Sequence, residues 1–121
     1  MNYHPISKKD KVFREALWQA YDGRCAYCGK ELSLKGMEID HIIPVNPKNQ
    51  SEKVMEFVKK LEEDGFVYDC IENFVPIHPI ENKEKNNATW KIEQLYLSLK
   101  KNKNLTDKIL KIYEKIKNIK E

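Results

Sequence analysis

Glu38-Ile39-Asp40-His41-Ile42-Ile43-Pro44 sets an acid directly before a histidine, inside a short β-branched apolar run closed by a proline. A carboxylate is a hard oxygen ligand for a divalent cation, and a neutral imidazole accepts a proton near neutral pH. Together they can hold an ion and activate a water. Successive side chains of an extended strand leave on opposite faces, so Ile39 and Ile43 can anchor the strand while Asp40 and His41 are presented near its end. An Asp-His dipeptide is common, and by itself a plain surface reading outweighs a catalytic one. Here it has company: Cys25-Ala26-Tyr27-Cys28-Gly29 lies upstream, and a run from Asn73-Phe74-Val75-Pro76-Ile77-His78-Pro79 through Ile80-Glu81-Asn82-Lys83-Glu84-Lys85 lies downstream.

Cys25 and Cys28 have the spacing of a zinc knuckle, in which two thiolates reach one ion. Gly29 then lets backbone N–H groups turn toward the sulfurs. Two other readings stand beside it. One is a pair of reduced thiols with no metal. The other, a redox pair, calls for a strand before and a helix after, whereas this sequence predicts a helix before and a turn after. Cys70 is off the knuckle spacing and reads as a small buried hydrophobe. Asn73, taken alone, reads as a turn asparagine.

In this order the three stretches resemble the HNH endonuclease family over about residues 14–87. The resemblance implies an α+β fold with a small ββα-metal, treble-clef-like HNH core, carrying additional helices at the N-terminus, in the interstrand loop and at the C-terminus. It implies metal-dependent hydrolysis of phosphodiester bonds in nucleic acid, with double-stranded DNA the expected partner. His41 would be the general base. Asp40 and Asn82 would hold a catalytic Mg²⁺ or Mn²⁺. Asn73 would be the middle asparagine, its amide tying down the loop backbone beside His41. Lys85 would meet a phosphate, and Asn86, one helical turn beyond Asn82, would add at most an outer contact. The family often completes a structural zinc site with a second Cys-x-x-Cys. His78 and Glu81 stand at those positions here, so Zn²⁺ on Cys25, Cys28 and His78 is an expectation that departs from the family pattern. The main alternative is a nucleic-acid- or protein-binding module that keeps the fold without cleavage. A binding module has no need of Asp40, His41, Asn73 and Asn82 together. A purely structural zinc-knuckle domain is a third reading, and Glu81 argues against it by weakening the zinc set while leaving the catalytic set whole.

The elements that would position these residues follow from periodicity and breakers. Met1–Ile6 reads as an irregular lead-in with Pro5 as a breaker, and His4 as a surface histidine. Ser7 opens a helix to about Tyr21, with Asp10 three residues on as a short capping box and Val12, Phe13, Ala16, Leu17 and Ala20 as the apolar stripe. A helix over Ser51–Asp64 fills the interstrand loop, with Gly65 just past its end. Phe74–Ile77 is a second strand, and Pro76 places it at a sheet edge or strand end. A helix is expected from near Glu81 through Ala88. Beyond it the spacing predicts two helices: one carrying Trp90, Ile92, Leu95, Tyr96 and Leu99, then a polar break at Lys100–Asn104. The second begins near Thr106 and carries Leu105, Ile109, Ile112, Tyr113, Ile116 and Ile119. They would pack on the core or join a second copy or a further domain, ahead of serving as a basic DNA-clamping arm.

A length of 121 residues suits a single domain, with 89–121 as a C-terminal helical extension. The sequence has no apolar run of spanning length and no leader pattern, so a soluble cytoplasmic protein without a membrane partner is expected. Three cysteines, two of them closely spaced, fit metal binding in a reducing compartment better than a disulfide framework. The net charge of +3 is unevenly spread. Residues 51–81 hold 3 basic and 8 acidic side chains, whereas residues 82–121 hold 11 and 5. The acidic middle is a poor surface for DNA, and the C-terminal third could meet phosphates.

Overall fold

Asp10 fixes where the first helix begins. In the computed structural model, which describes residues 3–45, 50–80 and 91–120, its carboxylate accepts from the Val12 N–H at 2.9 Å and the Phe13 N–H at 3.1 Å. Helix α1 therefore spans Lys11–Ala20, shorter at its start than the expected Ser7 opening. Ser7 instead holds the turn before it: its hydroxyl accepts from the Lys9 N–H, and its carbonyl from the Asp10 N–H. Phe13, Ala16, Leu17 and Ala20 are buried, the i, i+3, i+4, i+7 stripe of a core-facing helix. The helix is stopped by Asp22 and Gly23, both with positive φ. A side chain at Gly23 would also strike the Trp18 ring, 3.1 Å from where a Cβ would lie.

The chain then turns through the cysteine pair into strand β1, Glu38–His41. The Arg14 guanidinium donates to the Leu34 carbonyl at 2.8 Å and to the Met37 carbonyl, so α1 sets where β1 starts. Helix α2, Glu52–Glu63, fills the interstrand loop as expected. Ser51 caps it by accepting from the Val54 N–H, and Gly65 follows its end at φ 96°. Val54, Val58 and Leu61 are its buried face. A 3₁₀ turn at Ile71–Asn73 feeds strand β2, Phe74–Ile77. The two strands pair antiparallel with Glu38 opposite Ile77, Ile39 opposite Pro76, Asp40 opposite Val75 and His41 opposite Phe74. In this two-stranded sheet each strand is an edge, which is the condition that admits Pro76.

The C-terminal expectation is corrected. In place of two helices and a polar break, one helix, α3, runs through Ile92–Lys120. Its buried positions are Leu95, Leu99, Asn102, Thr106, Ile109 and Ile116, a single stripe whose steps alternate four and three as far as Ile109, with Ile116 two turns beyond. Asn102 and Thr106 lie on that stripe, so the supposed break is a polar stretch of the packed face. The Asn102 amide nitrogen donates to the carbonyls of Ile71, Glu72 and Phe74 at 3.0, 2.9 and 2.9 Å. Its oxygen accepts from the Tyr21 hydroxyl at 2.6 Å, and burial raises the Tyr21 pKa so that it stays a donor. The apolar residues on either side of Asn102 serve two cores: Leu95 and Leu99 pack with Ile42, Ile43, Val58 and Ile77, and Ile109 and Ile116 pack with Phe13, Leu17 and Phe74.

Among the described residues the chain is thus an α+β fold of three α-helices and one two-stranded antiparallel sheet. No described helix is long and apolar enough to cross a membrane. The expected Glu81–Ala88 helix lies outside the described residues.

Removing the Asn102 amide strips a donor from three interior carbonyls. Asn102→Ala is expected to lower unfolding free energy by about 2–4 kcal/mol, read as a reduced denaturation midpoint with little change in helix content of the native state.

Candidate functional site

Asn73 is fully buried at the end of the 3₁₀ turn. Its side-chain oxygen accepts from the Ile43 N–H at 2.8 Å. Its amide nitrogen donates to the Ile43 carbonyl at 3.2 Å and the Tyr68 carbonyl at 3.1 Å. Its own carbonyl accepts from the Ile42 N–H at 2.8 Å. An amide both donates and accepts, and this one uses both capacities on the backbone leaving β1. These bonds hold the two residues that follow His41.

His41 ends β1, its ring centroid 4.8 Å from that of its cross-strand partner Phe74. Ring atom Nε2 lies 2.7 Å from Oδ1 of Asp69. The histidine side chain is 14% exposed and the Asp69 side chain 63%, so a sheltered ring meets a carboxylate that opens to solvent. Asp40 is half-buried opposite Val75. The Tyr27 hydroxyl donates to its Oδ2 at 3.4 Å. Desolvation, with the Asp40 carboxylate next, pushes the Tyr27 pKa well above its ordinary value, which keeps the hydroxyl a donor. The structure thus gathers Asp40, His41 and Asn73 around the end of β1. Asn82, Lys85 and Asn86 lie outside the described residues.

The cysteine pair occupies a tight turn closed by an Arg24–Glu31 bridge. The Cys25 N–H donates to the Lys30 carbonyl and the Gly29 N–H to the Cys25 carbonyl, both at 2.9 Å. Cys25 is buried and Cys28 exposed. His78 is beside this turn, its Nε2 3.1 Å from the Glu31 carbonyl oxygen. Among the described residues no three His, Cys, Asp or Glu side chains form a group that could hold a metal ion, and Glu81 lies outside them.

Three residues carry more than their sequence context suggested. Asp69 precedes Asn73 in a stretch that reads only as a connection. Tyr27 reads as a spacer between two cysteines. His4 is the third, and its reading as a plain surface histidine is corrected. Its Nδ1 is 2.8 Å from Oε2 of the buried Glu72, and its backbone N–H donates to Glu72 Oε1 at 2.9 Å. The Thr106 hydroxyl donates to the same carboxylate at 3.2 Å. A buried carboxylate needs such partners, and Glu72 alone in the sequence gave the signal: an acid between Ile71 and Asn73-Phe74 in an apolar run.

No family model matches the chain, and no curated protein or solved structure matches it either.

Cys70 is fully buried, as its sequence context suggests. Burial first, and the Glu72 carboxylate next, push its thiol up to about 12. The thiolate is the nucleophile, so alkylation of native protein near pH 8 should leave Cys70 unmodified. Mass spectrometry should find it labelled only after denaturant is added.

Proposed function

We propose that this chain is a metal-dependent endonuclease of the HNH, ββα-metal type, acting on phosphodiester bonds of nucleic acid and above all of double-stranded DNA. The observation that carries the reading is the paired use of Asn73 and His41. The buried amide holds the backbone leaving β1, so the imidazole at the strand end is presented from a fixed main chain. A general base needs that kind of fixed placement.

In this reading the neutral imidazole of His41 takes a proton from a water. The water's oxygen forms the new bond to phosphorus, the bond to the leaving oxygen breaks, and its electron pair stays on that oxygen. Asp40 supplies a hard anionic donor suited to Mg²⁺ or Mn²⁺, and Asn82 would be the neutral second ligand. Such an ion would supply positive charge at the scissile phosphate and the leaving oxygen. Lys85 would add a phosphate contact.

A plasmid-cleavage assay across Mg²⁺, Mn²⁺ and EDTA tests this. Parent protein should cleave with either metal and not with EDTA. His41→Ala should fold normally and cleave about 10²–10⁴-fold more slowly. Asp40→Ala should lose metal-dependent cleavage, since the charged ligand is gone. Plasmid binding by the parent with no cleavage under any metal would replace the reading with a binding module.

The same reading puts a structural zinc on Cys25, Cys28 and His78. The spacing of the two cysteines is what supports it, since the three side chains are not gathered into one metal-holding group and His78 Nε2 meets the Glu31 carbonyl. Elemental analysis of purified protein should find about one zinc per chain. Folded protein free of zinc would mean that packing alone holds the turn.

A further inference from the structure

Asp69 is held in place by its neighbours on both sides. Its carbonyl accepts from the Ile6 N–H at 3.1 Å, and the next residue, Cys70, is bridged to Pro5. The preceding residue, Tyr68, gives its carbonyl to the Asn73 amide. The N-terminal segment that does this is itself clamped: the Ile71 N–H donates to the His4 carbonyl at 2.9 Å, and His4 grips buried Glu72. From this fixed main chain the Asp69 carboxylate reaches the His41 ring at 2.7 Å. The neighbouring strand residue, Asp40, meets the Tyr27 hydroxyl.

We infer that Asp69 is the positioning residue for His41: its carboxylate accepts the Nε2 proton, fixes the ring's tautomer and orientation, and makes Nδ1 the nitrogen that receives the water's proton. A carboxylate without a proton has only lone pairs to offer. Against it a neutral imidazole must carry its hydrogen on Nε2, which leaves the basic lone pair on Nδ1. When Nδ1 takes the proton from water, the ring becomes a cation facing an anion already in place. No proton needs to pass to Asp69. The role rests on the nuclease reading for its catalytic meaning, and the pairing itself stands without it.

The experiment has two arms that separate those two claims. Nitrogen NMR of the neutral His41 ring in the parent protein should show Nε2 protonated and Nδ1 bare. Asp69→Asn should give a mixture of tautomers, because an amide can either accept from Nε2 or donate to it. In the cleavage assay Asp69→Ala should lower kcat by about 10²-fold with KM little changed, and Asp69→Glu should recover part of the loss. A parent ring protonated on Nδ1, an Asp69→Asn ring identical to the parent's, or full kcat in Asp69→Ala would each overturn the assignment. A parent that cleaves nothing but shows the expected ring state would sink the nuclease reading and leave the pairing intact.

Discussion

The segment Ile71–Phe74 runs through the interior, and its backbone polar groups must find partners there. Buried N–H and C=O groups left unpaired cost free energy comparable to a lost hydrogen bond. A single turn of 3₁₀ helix satisfies few of them, and β2 is paired on one side only. Two buried asparagines complete the set. Asn102 reaches in from α3 to the carbonyls of Ile71, Glu72 and Phe74. Asn73 reaches out from the turn to Ile43 and Tyr68. One amide docks the long helix on the turn, and the other docks the end of β1 on it. The two apolar cores meet along this polar seam: Ile71 and Phe74 pack on the α1 side, and Cys70 and Val75 pack on the α2 side.

Such an arrangement favours specificity over raw stability. Apolar side chains at 102 and 106 would extend the stripe of α3, but they would take the Asn102 amide from the turn's carbonyls and the Thr106 hydroxyl from the Glu72 carboxylate. A fully satisfied polar network admits one register of helix against turn, because a shift by one residue unpairs every member. The same logic explains why the N-terminal lead-in is ordered without being a strand or helix. Its backbone and His4 close the remaining sides of Glu72 and of the Asp69–Ile71 main chain.

Much of this was legible in the sequence, and what was not has a common cause. The stripes of α1 and α2, the Asp40-His41 strand and the Phe74–Ile77 strand follow from periodicity, breakers and residue chemistry acting over a few positions, whereas Asn73 taken alone reads only as a turn residue. The reading failed where a polar residue sits on a buried stripe. Lys100–Asn104 looks like a break because Asn102 is counted with its lysine neighbours, although its spacing to Leu99 and Leu95 fits the apolar face. Ser7 and Asp10 are both competent caps, and only the Val12 and Phe13 N–H geometry decides between them. His4 and Glu72 are 68 residues apart, and Asp69 and His41 are 28 apart. No local pattern couples such pairs, because the coupling is made by the fold.

Alternation along β1 has a consequence for how the site is built. Consecutive strand residues face opposite ways, so Asp40 and His41 cannot share one supporting wall. The contacts divide accordingly. Asp40 has Tyr27 from the cysteine turn, while His41 has Phe74 and Asp69 from the chain around the 3₁₀ turn. The cation-binding oxygen in the nuclease reading is therefore supported by the first half of the chain, and the base by the second. Both supports converge only because β1 and β2 pair in the register that sets Asp40 opposite Val75 and His41 opposite Phe74. A slip of one residue in that pairing would exchange the two faces, turning Asp40 toward Asp69 and His41 toward Tyr27. Repulsion between two carboxylates would then oppose the slipped state. The polar residues at the strand end thus reinforce the register that the buried apolar residues set.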